Sequence, residues 1–409
     1  MVAGPAGPSV PGRTCLAISD NLCNACRNSR RIASRLLSCS LEDGLALLEV
    51  TDLTVNFPTS DGVVRAVRGV SFGVEAGRTL GIVGESGSGK TVLTQTLLGL
   101  TPGADVSGRA VFDGTDLLTL TEAQMREIRG ARIAVIFQDP LTSLHPLYKV
   151  GWQIGEMIQA HDKSVSKQQA HDRAVELLGH VGIPRPERRV DDYPHQFSGG
   201  MRQRAMIAMA LALSPRMIIA DEPTTALDAT VQAQIIDLLL RLQQESQTAL
   251  IMITHDLGVV ADIADDVMVM YAGRAAEKAP KRDVFYSPHH PYTKGLLESI
   301  PSTAAAGQRL RPIPGSPPSL INLPSGCKFH PRCGYVLDRC LAEEPTLRPI
   351  GPEGLHSSAC WLPVQAAGLG ERAEQLRADM VREGRGEAAA EVFEAEIAET
   401  LGSEGSVAG

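Results

Sequence analysis

Apolar residues along this chain gather into short continuous runs, separated by segments with helical spacing. The runs LLEVTDLTVNF (47–57), RTLGIV (78–83), RIAVIF (132–137), RMIIAD (216–221), ALIMIT (249–254) and DVMVMY (266–271) have strand length. Runs that are apolar without alternation suit strands covered on both faces. Helix-length segments between them would supply the cover, so the pattern predicts an α/β fold built on a mostly parallel sheet. Between Gln138 and Ser198 the strand signal stops, and Trp152 to Ala160 and Lys167 to Val181 carry helical spacing. A small helical subdomain, about residues 139–200, is expected to interrupt the sheet.

The flanks differ in character. Residues 1–45 are rich in Gly, Pro, Ser and Arg without apolar periodicity, and are expected to be disordered. They hold Cys15, Cys23, Cys26 and Cys39; the CxxC spacing of Cys23 and Cys26 admits a metal or redox site. The absence of surrounding strand or helix pattern favours a flexible extension, or a translation start placed too far upstream. After His289 the chain turns Pro-rich and irregular, then carries Cys327, Cys333, Cys340 and Cys360. Residues 364–409 form an Ala/Glu tail with ten acidic and four basic residues, expected to be a solvated helix or disordered.

At 409 residues the chain is long enough for more than one domain. With 43% apolar and 21% charged residues it has the composition of a soluble globular protein. The net charge of −8 argues against a general nucleic-acid surface. No apolar run approaches the roughly 18 residues of a membrane span, and the N-terminal residues lack the pattern of a signal peptide. A cytoplasmic protein is expected, with any membrane role running through partners.

The chemistry concentrates at strand ends. Gly84, Glu85, Ser86, Gly87, Ser88, Gly89, Lys90 and Thr91 fit G-x-x-x-x-G-K-[ST] between a strand and a helix, the context the motif requires. Backbone N–H groups freed by the glycines would curl around the β- and γ-phosphates of a nucleotide. Lys90 would reach the same oxygens, and the Thr91 hydroxyl would bind Mg²⁺. RMIIAD delivers Asp221 and Glu222 to the crevice where ligands of parallel sheets bind. Asp221 is expected to hold Mg²⁺ through water and Glu222 to act as general base. His255, after ALIMIT, is expected to sense the γ-phosphate and position the water. Gln138, after RIAVIF, would link Mg²⁺ and water to the helical subdomain. Phe57 is placed either to stack on adenine or to fill the core.

One tract is incomplete on its own. In FSGGMRQR (Phe197 to Arg204), a serine and two glycines at a helix start make a second anion site. The phosphate loop, Gln138, FSGG, Asp221-Glu222, TALD (Thr225 to Asp228) and His255, in this order, resemble the nucleotide-binding subunits of ABC transporters over residues 47–298. That resemblance implies a P-loop NTPase fold: a RecA-like parallel-sheet core, an N-terminal antiparallel β subdomain and a helical subdomain, within an ATPase domain at 46–298. It further implies that ATP is held between Lys90 of one chain and Ser198, Gly199 and Gly200 of a partner cassette, with Asp228 beside them.

Finer features are similar to the oligopeptide/dipeptide importer branch. FQDPLTSLHP (Phe137 to Pro146) resembles its Q-loop, with His145 where Asn is usual, and Met201 stands where the wider family has Gln. SPHHPYTKGLLESIP (287–301) and IPGSPPSLINLPSGCKFHPRC (313–333) resemble its C-terminal region, here 299–363. The resemblance implies ATP-driven import of di- and oligopeptides from the cytoplasmic face of the cell membrane. The implied partners are a second ATPase subunit, two membrane permeases and an extracytoplasmic solute-binding protein. A nickel or glutathione importer is the nearest alternative. A soluble ABC ATPase acting on ribosomes or DNA fits less well, because the chain has no second cassette and no long coiled-coil insertion.

The four later cysteines lack the C-x₂₋₄-C pairs of zinc knuckles and the spacings of ferredoxins. Disulfides are disfavoured in the cytoplasm, so a metal is suggested. The resemblance implies a [4Fe–4S] cluster on Cys327, Cys333, Cys340 and Cys360, structural or redox-sensing. Zinc and a metal-free thiol set are the alternatives.

Overall fold

The computed structural model describes residues 46–225, 227–299, 312–350 and 354–363. The N-terminal extension with its CxxC pair and the acidic tail lie outside the described residues. In chain order the strands are β1 (Leu48–Thr59), β2 (Gly62–Val74), β3 (Thr79–Val83), β4 (Asp105–Phe112), β5 (Thr115–Asp116), β6 (Ile133–Ile136), β7 (Met217–Asp221), β8 (Ala249–Thr254), β9 (Asp266–Tyr271), β10 (Arg274–Pro280), β11 (Arg348–Pro349) and β12 (Ser357–Ser358). The α-helices are α1 (Lys90–Leu97), α2 (Glu122–Ile128), α3 (Pro140–Ser143), α4 (Val150–His161), α5 (Lys167–His180), α6 (Pro186–Arg189), α7 (Gly199–Ala210), α8 (Ala229–Ser246), α9 (Leu257–Ile263), α10 (Lys281–Tyr286), α11 (Pro291–Glu298) and α12 (Asp338–Ala342).

Two sheets carry the fold. The main one has the order β11-β12-β10-β9-β3-β8-β7-β6, and its strands from β9 to β6 are parallel. Every residue of β3, β7 and β8 is buried, the state expected of strands covered on both faces. The second sheet, β2-β1-β4-β5, is antiparallel. In β1 the buried residues Leu48, Val50, Leu53 and Val55 face its core, and a register shift at Leu53 absorbs the odd spacing. This is the expected ABC-type α/β architecture, with its antiparallel β subdomain.

The helices between β6 and β7 pack into one apolar cluster through Ile154, Leu177, Leu178 and Met206. Side chains fix where several of them start. Ser166 accepts from the Gln169 N–H in a capping box at α5, and Ser198 and Asp228 cap α7 and α8. No helix among the described residues is long and apolar enough to cross a membrane.

The C-terminal region is joined into the main sheet. β10 pairs antiparallel with β9, β12 with β10, and β11 with β12. Behind this edge Glu277 is fully buried. It accepts from the N–H groups of His289 (2.7 Å) and His290 (3.0 Å) and lies 2.6 Å from His356 Nε2. Burial alone would raise its carboxyl; the hydrogen bonds from His356 and the two N–H groups outweigh it and hold the group below the ordinary carboxylate range.

Candidate nucleotide site

The parallel strands β3, β7 and β8 deliver Gly84, Asp221-Glu222 and His255 to the same end of the sheet. Glycine is required at both ends of the loop. Gly84 (φ 149°) and Gly89 (φ 99°) have positive φ, and a Cβ there would strike the carbonyls of Met270 and Ala66. Lys90, only 5% exposed, opens α1 and donates from Nζ to Gly84 O (2.7 Å) and Glu85 O (3.0 Å). Burial pulls its pKa down against the pull of Glu222, Asp221 and Glu85. Ser88 Oγ, beside it in sequence, is buried with no hydrogen-bond partner. An unpaired hydroxyl and a buried ammonium bonded only to carbonyls suit a loop that receives an anion.

Across from the loop, Thr91 Oγ1 donates to Asp221 Oδ1 at 3.2 Å. Asp221 is 6% exposed, and burial raises its carboxyl while the Thr91 hydroxyl opposes the rise. Glu222 follows in the left-handed region, φ 47°, a conformation that costs a non-glycine residue about 1–3 kcal/mol. Its N–H bonds to Ile253 O at 2.9 Å, tying it to β8. Its Oε2 is reached by Thr225 Oγ1 (2.9 Å), Gln138 Nε2 (3.2 Å) and His255 Nδ1 (3.2 Å). Hydroxyl, carboxylate and amide oxygen from Thr91, Asp221 and Gln138 are the hard donors Mg²⁺ prefers.

Lys90, Thr91, Asp221, Glu222, Gln138 and His255 are thus brought together. Thr225 completes the set; in the sequence it stands out only as the first residue of TALD, three residues after Glu222. The Ser198 turn stands apart. Ser198 Oγ accepts from the Met201 N–H, and Gly199 and Gly200 begin α7, which packs on α4, α5 and β6, whereas α1 packs on β1 and β2. Among the described residues no hydrogen bond joins that turn, or Asp228 at the start of α8, to the phosphate loop. Phe57 is half-buried against the core and paired with Val64 of β2.

The expected metal centre is not shown. Cys327, Cys333, Cys340 and Cys360 are free thiols, yet among the described residues no three His, Cys, Asp or Glu side chains converge to hold a metal ion. Burial pushes the Cys360 thiol up to about 12 and the Cys333 thiol higher still. The thiols of Cys327 and Cys340 lie close enough to add to both shifts.

Comparison with known proteins agrees with the geometry. The ABC transporter family matches residues 67–225, and the family described as "Oligopeptide/dipeptide transporter, C-terminal region" matches residues 276–340. The oligopeptide transport ATP-binding protein OppD of Bacillus subtilis is 50% identical over 82% of this chain and 94% of its own length. The dipeptide transport ATP-binding protein DppD of Escherichia coli is 48% identical over 79% of this chain and 99% of its own. Among solved structures, the dimeric post-hydrolysis state of the ATP-binding cassette MJ0796 bound to ADP and Pi superposes with a TM-score of 0.52 at 26% identity, covering 57% of this chain and 99% of that one. The chain belongs to the oligopeptide/dipeptide branch of ABC transporter ATP-binding subunits, ATPases coupled to transport.

Proposed function

We propose that this chain powers uptake of di- and oligopeptides by hydrolysing ATP at an interface with a second ATP-binding subunit. The observation that carries the reading is the grip on Glu222, whose Oε2 is reached by Thr225, Gln138 and His255 beside the Thr91–Asp221 pair. Lys90 and the loop N–H groups of Glu85 to Thr91 bind the β- and γ-phosphates. Thr91, Asp221 and Gln138 hold Mg²⁺, which when bound neutralises charge on the phosphate oxygens. Glu222 accepts the proton of the attacking water, and His255 orients that water against the γ-phosphate. Ser198, Gly199 and Gly200 serve the ATP of the partner chain, with Asp228 beside them; their separation from this chain's own loop supports that division. Phe57 stacks on the adenine ring.

The cassette spans residues 46–298 and carries the branch-specific region 299–363. It works at the cytoplasmic face of the cell membrane with two permeases and an extracytoplasmic binding protein. The cysteine quartet is a structural or redox-sensing set; iron and zinc analysis of anaerobically purified protein decides between a [4Fe–4S] cluster, zinc and bare thiols. The functional test is ATP turnover by the assembled transporter in vesicles. Stimulation by peptide-loaded binding protein is expected, and stimulation by nickel or glutathione alone would move the substrate class.

A further inference from the structure

The C-terminal region reaches back to the phosphate loop at one residue. Arg332 is 7% exposed and donates from Nη1 to Glu85 Oε2 at 2.6 Å and from Nη2 to Glu85 Oε1 at 2.9 Å. Two parallel N–H···O bonds are the strong, directional form of an arginine–carboxylate pair. The guanidinium is itself fixed. Its Nε donates to Pro314 O at 2.8 Å, and it lies over the rings of Tyr271 and Phe329. The backbone of the same glutamate is held from two further sides. Its N–H donates to the Tyr292 hydroxyl at 2.8 Å, and its carbonyl accepts from Lys90 Nζ.

Glu85 is the second residue of the Gly84–Thr91 loop, so its carboxylate lies on the backbone that would cradle a polyphosphate. An unpaired carboxylate there would repel that anion, and one free to turn would loosen the loop. Arg332 removes both effects at once. We propose that Arg332, with Tyr292, is a positioning residue for the ATP site: it neutralises Glu85 and locks the loop, so that ATP affinity depends on the C-terminal region. The proposal rests on the reading of Gly84–Thr91 as the phosphate site. Arg332 acts through Glu85 and does not touch the nucleotide.

The test is a titration of the full-length chain with a fluorescent ATP analogue, together with steady-state turnover of the assembled transporter. Arg332→Ala is expected to raise Kd and KM for ATP by about tenfold, within the 5- to 150-fold range of couplings between sites, with a smaller change in kcat. Adding Glu85→Gln to Arg332→Ala should recover most of the affinity, because the unpaired charge is then gone. A loss that Glu85→Gln does not relieve would reduce Arg332 to a fold-maintaining residue and overturn the proposal, as would wild-type affinity in Arg332→Ala. If Arg332→Ala melts early, Arg332→Lys carries the same test; it keeps the charge but only one point of contact, and its smaller loss should likewise be relieved by Glu85→Gln. Lys90→Ala separates the two readings: wild-type ATP affinity in that variant would remove the phosphate-site assignment itself.

Discussion

His255 Nδ1 stands 3.2 Å from Glu222 Oε2, joining residues from the ends of two neighbouring strands, β8 and β7. His255 is 62% exposed at its side chain, while Glu222 is only 17% exposed. The pair therefore has a wet side and a dry side. The histidine faces solvent, and the glutamate accepts a hydrogen bond from Thr225.

From this follows a split in the kinetics of His255→Ala. Removing one group that steadies the transition state typically lowers the rate about 10²–10³-fold. We expect kcat of the assembled transporter to fall on that scale, with the Kd for ATP within a few-fold of wild type. A variant that loses affinity but keeps kcat would place His255 in binding alone.

Ser198→Arg separates binding from turnover in a different way. The Ser198 hydroxyl caps α7, and among the described residues it makes no hydrogen bond to its own chain's phosphate loop. The isolated chain carrying Ser198→Arg should bind ATP as wild type, while turnover in the assembled transporter drops to near zero. Weakened ATP binding by the isolated monomer would bring the turn into its own chain's site and undo the two-chain arrangement.

Acid should loosen the C-terminal region through His290. This residue caps α11 and accepts the Tyr292 N–H at Nδ1 (3.0 Å), which requires the neutral ring. Burial lowers its pKa to about 4, partly opposed by Glu277. The unfolded chain binds the proton near pH 6.5 and the folded chain does not, so stability is full above pH 6.5 and falls as pH drops toward 4. The shift corresponds to about 3 kcal/mol. Thermal melts at pH 7.5 and 5 should show the drop, and His290→Asn, which keeps a capping side chain, should flatten it. An unchanged slope in His290→Asn would assign the acid sensitivity elsewhere.

The parts of this fold that were legible in the sequence are those with a single physical cause. Strands such as RMIIAD and ALIMIT are apolar throughout because they are covered on both faces, and β7 and β8 lie within one residue of those runs. The phosphate loop was readable because its glycines answer steric demands set by Met270 and Ala66. The grouping of Gln138, Glu222 and His255 followed once each was placed at the end of a parallel strand. Other features depend on long-range pairing that no local pattern carries. β12 is two residues of serine that join the sheet only because β10 leaves an edge open. The left-handed backbone of Glu222 and the hydrogen bond between Arg332 and Glu85, 247 residues apart, have no periodicity to betray them. The four later cysteines were legible as a group, and Cys333 and Cys360 do lie near Cys327 and Cys340.

The most direct test is ATP turnover and ATP binding measured side by side for Glu222→Gln in the assembled transporter. Glutamine keeps the shape and the contacts to Thr225 and His255 but cannot accept the proton of water. Turnover should fall by about 10²–10⁴-fold while ATP stays bound as tightly as in the wild type. Turnover near the wild-type rate in that variant would contradict the account of how this subunit hydrolyses ATP.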